Sequence, residues 1–217
     1  MKNLFNLDNP FIQFLSRVFD LMMLNALFII CSLPVVTLGA SLSALQRVVQ
    51  DIAYDVDNGI IKSFFRAFGQ NFKQATAAWL ILLVVIVSLV CDVLLVMGYF
   101  SGTLRKVLYV LIAGLAILAA SAAAYLFPLL TRYENTLKQH VYNALILSVI
   151  KLPRTLLLVV MELLPLILFL VSVPVFVQTL IFWVTVGFGF MTYLQTIVLK
   201  PVFAQLEKGS DKVTVGK

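Results

Sequence analysis

Long apolar runs separated by short charged segments are the main pattern of the sequence. Runs with no charged residue, or with a single acidic one, cover residues 21–45, 77–100, 107–131 and 155–199. A helix needs about 20 residues to cross a bilayer core about 30 Å thick. The last run would be about 68 Å long as one helix, so we place a turn at 174–178. The pattern predicts five crossings, at residues 21–45, 77–100, 107–131, 155–175 and 178–199.

Two shorter segments are amphipathic and predict helices that lie in the membrane interface. In residues 60–73, four phenylalanines share one face of a helix, and Lys62, Arg66 and Lys73 form a basic face opposite. Aromatic rings suit the acyl boundary and basic groups suit the headgroups. The same rings could equally cover the cytoplasmic end of the bundle. Residues 10–20 show a similar pattern.

The predicted fold is an all-α polytopic transmembrane helix bundle. Residues 1–206 would form a single integral membrane domain, and residues 207–217 a polar cytoplasmic tail without secondary structure. The composition agrees, since 62% of residues are apolar, 12% are charged and the mean hydropathy is +1.04. Soluble domains are far less apolar and about twice as charged. We therefore expect the lipid bilayer as partner and no nucleic acid.

The 16 Lys and Arg residues predict the orientation of the bundle. With five crossings, twelve lie on one side and four on the other, the four being Lys2, Arg17, Arg105 and Lys106. Cytoplasmic segments are enriched in Lys and Arg, so we expect a cytoplasmic C-terminus. If residues 21–45 were instead a re-entrant hairpin broken at 33–34, the split would be 14 to 2. We favour one tilted helix, kinked at Pro34, because a run of 25 apolar residues suits a single crossing.

Residues suited to enzymatic chemistry are scarce. The sequence has no phosphate-binding loop, no dinucleotide-binding glycine motif, no HExxH and no paired CxxC. The single histidine, His140, has no second His or Cys near it in the sequence. Cys31 and Cys91 lie inside apolar runs, where an unreactive small hydrophobe is the usual role. We expect no enzyme activity, no catalytic residue, no metal site and no cofactor.

Two carboxylates interrupt the apolar runs and are candidates for an intramembrane polar site. Asp92 lies in the second predicted crossing and Glu162 in the fourth. Ionisable residues inside a membrane usually face the bundle interior or a wet cavity. Their predicted depths differ by about 10 Å, so we do not expect one shared site. Each is either an internally satisfied structural group or part of a functional cavity.

The segment that follows Pro34 is a second candidate. Pro34, Thr37, Gly39 and Ser41 combine a helix breaker with small and hydroxyl residues. Broken helices expose carbonyl groups to solutes in several transporters. Small residues spaced four apart also let helices pack closely. We favour packing and keep the broken-helix site as the alternative.

The order of several short segments resembles the YesL family of bacterial multi-pass membrane proteins. The resemblance is carried by Asn-Pro-Phe at 9–11, Arg-Val-Phe-Asp at 17–20, Cys-Ser-Leu-Pro-Val-Val-Thr-Leu-Gly-Ala-Ser at 31–41, Ser-Phe-Phe-Arg at 63–66, Asn-Phe-Lys-Gln-Ala at 71–75 and Lys-Leu-Pro-Arg-Thr at 151–155. No catalytic or binding residues of that family carry over to this sequence.

The resemblance implies a location and a process. It implies a multi-pass protein of a bacterial plasma membrane, acting as an accessory or regulatory component of carbohydrate uptake. Its expected partners are the permease subunits of a sugar importer. The alternative is a small secondary transporter, or permease-like protein, with its own solute or proton site.

Overall fold

The computed structural model describes residues 10–56 and 59–215, and every regular element within them is a helix. The eight α-helices are α1 Pro10–Ser32, α2 Leu38–Ala53, α3 Ile60–Tyr99, α4 Gly102–Arg132, α5 Leu137–Ile150, α6 Leu152–Val171, α7 Val173–Phe182 and α8 Phe188–Val215. A 3-10 turn, Val35–Thr37, lies between α1 and α2, and a π-helical segment, Trp183–Gly187, joins α7 to α8.

Five helical stretches in these ranges are long and apolar enough to cross a membrane. They are Phe11–Ser32, Ile60–Tyr99, Gly102–Arg132, Leu152–Val171 and Val173–Glu207. The predicted all-α bundle is thus confirmed, with five helices that could cross a membrane. Residues 1–9 of the predicted membrane domain and residues 216 and 217 of the predicted tail lie outside the described residues.

Three antiparallel pairs make up most of the bundle: α1 with α2, α3 with α4, and α6 with the α7–α8 stretch. The open ends of these pairs meet at one end of the bundle. At this end Arg17 of α1 donates to the carbonyl of Ile52, at the end of α2, over 2.9 Å. Arg132, at the end of α4, forms an ion pair of 2.8 Å with Glu207 of α8. We call this the basic end; its cross-helix contacts come from Arg17, Arg132, Lys151 and Lys200.

The first predicted crossing, residues 21–45, is not one kinked helix, and that prediction was wrong. Helix α1 ends at Ser32, and α2 runs back beside it to the basic end. Pro34 has no N–H and sits in an extended conformation, with φ −74° and ψ 115°, so the helix cannot continue through it. The Thr37 hydroxyl lies 2.7 Å from the carbonyl oxygen of Cys31, which the break leaves without a helical partner. The alternative topology also has the chain reverse at 33–34, and the structure shows the reversal at that point.

The α1–α2 hairpin is shorter than the α3–α4 hairpin. The indole N–H of Trp79 donates to the carbonyl of Val35 at the hairpin tip, over 2.8 Å. Twenty residues of α3 follow Trp79, so α3 continues about 30 Å beyond this tip.

The two predicted interfacial helices are not separate elements. Residues 10–20 are the first half of α1, and residues 60–73 are the first part of the 40-residue α3. No proline or glycine lies between residues 70 and 97 to interrupt α3, so the helix propagates without a break. The amphipathic segments are therefore the ends of long helices.

The C-terminal part of the chain also differs from the prediction. The turn lies at Ser172 and not at 174–178. Pro174 occupies the first turn of α7, where its missing N–H costs no hydrogen bond. Helix α8 continues to Val215, so the expected unstructured tail is helical as far as that residue.

Candidate functional site

A half-open cavity of about 880 Å³ lies between the three helix pairs. Its volume is within the range of typical small-molecule pockets. Aliphatic side chains and the small residues Ala116, Ala119, Ala120 and Ala123 of α4 form much of its wall. Five aromatic residues also line it, namely Phe28, Trp79, Phe127, Trp183 and Phe188. The polar lining residues are Ser32, Gln46, Glu162, Thr192 and Gln195.

Among the residues that the structure describes, Glu162 is the only Asp, Glu, Lys or Arg that lines this cavity. It projects from the middle of α6 and is partly buried. Across the ranges 10–56 and 59–215, no side chain forms a hydrogen bond or an ion pair with its carboxylate. An unpaired carboxylate in apolar surroundings is costly. Of the two predicted intramembrane carboxylates, Glu162 is the one that lines the cavity.

Asp92 is placed elsewhere. It lies in the last third of α3, is partly buried and does not line the cavity. It too has no hydrogen bond or ion pair with any residue that the structure describes. The structure does not bring Asp92 and Glu162 into one site.

Two glutamines face each other across the cavity wall. Gln46 of α2 and Gln195 of α8 are both buried, and the Gln46 Nε2 lies 3.5 Å from the Gln195 Oε1. The Gln46 Oε1, the Ser32 Oγ and the Trp183 Nε1 are buried without a hydrogen-bond partner in the described part of the chain. Each such group costs about 1–3 kcal/mol. The wall therefore carries unused hydrogen-bonding capacity.

Asn25 of α1 holds the π-helical part of the wall in place. Its side-chain NH₂ donates to the carbonyl oxygens of Trp183 and Val184 at 3.1 and 2.7 Å, and its Oδ1 accepts the N–H of Gly189 at 3.1 Å. Asn25 is completely buried. A π segment disturbs the regular helical hydrogen bonds, and this one amide bonds to three backbone groups around it.

Sequence reasoning did not identify Asn25, Gln46, Trp183 or Gln195. One signal was available, because Asn25 is the only amide side chain in residues 21–45. A lone amide in an apolar run needs a hydrogen-bond partner when it is buried. The neighbouring sequence did not indicate which groups would be the hydrogen-bond partners of Asn25.

The four residues proposed for a broken-helix site do not themselves line the cavity. Thr37 bonds to carbonyls in the break, and the Ser41 hydroxyl donates to the Thr37 carbonyl at 3.1 Å. Pro34 is exposed. Gly39 is buried against α3, where a Cβ would overlap the carbonyl oxygen of Ala75. These residues shape the hairpin, while the neighbouring Ser32, Leu33 and Leu38 reach the cavity.

The predicted basic face is exposed at the start of α3. Lys62, Arg66 and Lys73 form no ion pair with any residue in the described ranges. On the other face, Phe64 is fully buried against α1 and α2, whereas Phe65 is 52% exposed. The aromatic residues of this segment therefore divide between bundle packing and the outer surface.

His140 is a buried, uncharged group away from the cavity. Both ring nitrogens lack a hydrogen-bond partner among the described residues. Burial lowers the pKa of the His140 imidazole below the usual value for histidine, because the charged form loses its hydration. The described part of the chain contains no group of three or more His, Cys, Asp and Glu residues that could hold a metal ion.

The five long apolar helices define a multi-pass helical membrane protein, and a half-open cavity lies between them. Residues 21–93 match the sequence profile of a family described as "Protein of unknown function, DUF624". The match covers about a third of the chain, from α1 through most of α3. No curated protein and no solved structure matches the chain.

Proposed function

We propose that this protein is a permease-like membrane protein that binds its own solute in the cavity beside Glu162. The observation that carries the proposal is the unpaired carboxylate in the wall of an 880 Å³ cavity. Intramembrane ionisable residues at cavities commonly mark solute or ion pathways. The cavity also lies beside the α1–α2 break and the π segment. Discontinuous helices form the solute sites of many secondary transporters.

Filling the cavity tests this proposal. We expect a small molecule to co-purify with the wild-type protein in nanodiscs. Ala120→Phe places a ring in the cavity wall, so this variant should retain at most a tenth of that molecule. Ala113→Phe is the matched control, since Ala113 lies two turns earlier on α4, is exposed and does not line the cavity. The readout is mass spectrometry of solvent extracts. Equal retention by both variants would contradict a solute site in this cavity.

We propose further that the basic end faces the cytoplasm of a bacterial cell, with the C-terminal end of α8 on that side. The three helix pairs support this orientation, because they open at the same end. Among the described residues, Arg105 and Lys106 are the only Lys and Arg near the opposite end, beside the turn at Phe100 and Ser101. The positive-inside rule favours this arrangement. In intact cells, a single cysteine at position 101 should react with an impermeant maleimide, and one at position 55 should not.

A second proposed function is that of an accessory component of carbohydrate uptake. It is suggested by the sequence resemblance, and the exposed basic face of Lys62, Arg66 and Lys73 supports it by offering three cations to an acidic partner. Permease subunits of a sugar importer should then co-purify in mild detergent. They should be lost when all three residues are changed to Glu. Repeated isolation of the protein alone would contradict this function.

A further inference from the structure

The cavity is lined by a single kind of ionisable group, a carboxyl group. Among the described residues, Glu162 is the only Asp, Glu, Lys, Arg or His that lines it, and when ionised it carries a negative charge. A buried charge is tolerated when an opposite charge accompanies it, and no described residue supplies that charge. A cationic ligand would supply it, whereas an anionic ligand would be repelled.

The polar groups near Glu162 include further hydrogen-bond acceptors. Pro165 lies inside α6 and lines the cavity. Because proline has no N–H, the carbonyl of Met161, which precedes Glu162, loses its regular helical donor. Across the cavity, the Gln46 Oε1 also has no partner among the described residues. A protonated amine has N–H donors for such a set of acceptors.

The remainder of the wall suits an apolar body. Trp79 and Trp183 stand among aliphatic side chains and three phenylalanines. Aromatic faces attract cations, and tryptophan does so most strongly. The ligand that fits this wall has a positive head and a hydrophobic body.

A bare metal ion fits the cavity less well. Calcium takes six to eight oxygen ligands, commonly several carboxylates. Glu162 is the single carboxylate in the wall, and the described residues contain no cluster of metal-binding side chains. The charge is thus better matched by an organic cation.

We propose that the cavity binds an organic cation, with a protonated amine beside Glu162 and an apolar body among the aromatic rings. This inference rests on the proposed function, since it names the class of solute.

The chain provides its own reporter for this binding. It contains two tryptophans, Trp79 and Trp183, and both line the cavity. We would titrate the protein, in nanodiscs of zwitterionic lipid, with 1-pyrenemethylamine and with its neutral counterpart 1-pyrenemethanol. Energy transfer from tryptophan to pyrene is the signal. Glu162→Gln removes the charge at nearly constant shape, and Asp92→Asn is the matched control outside the cavity.

The wild-type protein should show saturable transfer, with the amine bound at least tenfold more tightly than the alcohol. Glu162→Gln should abolish that preference by weakening amine binding at least tenfold, while Asp92→Asn should keep the wild-type preference. Equal binding of the two probes to the wild-type protein would overturn the cation proposal and leave a solute site in place. No saturable transfer from either probe, as expected if bilayer lipid fills the cavity, would overturn the proposed function as well. The comparison of amine with alcohol binding uses the wild-type protein alone, so it remains valid even if Glu162→Gln does not fold.

Discussion

Replacing Asn25 with leucine should destabilise the folded protein by about 2–4 kcal/mol. Leucine branches at Cγ as asparagine does, but it is larger and its side chain makes no hydrogen bonds. The carbonyls of Trp183 and Val184 and the N–H of Gly189 would lose their partner inside the bundle. Thermal unfolding in detergent, followed by circular dichroism, should show a clearly lower midpoint.

The control for this substitution lies one residue along the same helix. Ala26 is exposed, so Ala26→Leu adds the same apolar side chain without removing a hydrogen bond, and its midpoint should stay near that of wild type. If Asn25→Leu unfolds at the wild-type midpoint, the π segment does not depend on Asn25.

Replacing Gly39 with alanine should destabilise the α1–α2 hairpin by about 1–3 kcal/mol. A methyl group at position 39 would overlap the backbone of Ala75 and lie 2.5 Å from the Cβ of Trp79. Backbone cannot move aside as a flexible side chain can, so α2 and α3 would have to separate. The bond from Trp79 to Val35 would weaken with them. The tryptophan emission should shift and the unfolding midpoint should fall.

Gly114→Ala is the matched control for Gly39→Ala. Gly114 is also inside a helix, and a Cβ there would meet no atom within 4 Å. Alanine has the higher helix propensity, so this variant should be as stable as wild type or slightly more stable. A Gly39→Ala midpoint equal to that of Gly114→Ala would contradict the close contact of α2 with α3.

The helical class of the fold could be predicted because it depends on local apolar runs. The path of residues 21–45 could not be predicted in this way. Pro34 is compatible both with a kinked crossing and with a turn between two helices. The choice depends on contacts far away in the sequence, such as Arg17 with Ile52 and Gly39 with Ala75. Local pattern contains no information about those pairs.

The candidate site was predictable only in part. Glu162 could be singled out, since a carboxylate in an apolar run is unusual by itself. The rest of the wall is assembled by folding, as Gln46 and Gln195 meet across 149 residues and Asn25 and Trp183 across 158. Glutamine, asparagine and tryptophan are common residues with no spacing that marks them as a group. Only the packing of three helix pairs brings them together.

An experimental structure of the wild-type protein in nanodiscs would show directly whether a solute occupies the cavity beside Glu162. We expect separate, non-protein density between Trp79, Trp183 and Glu162, within hydrogen-bonding distance of the Glu162 carboxylate. A bundle in which α4 and α6 close together and leave no space at Glu162 would contradict it. So would a Glu162 side chain that points outward into the lipid.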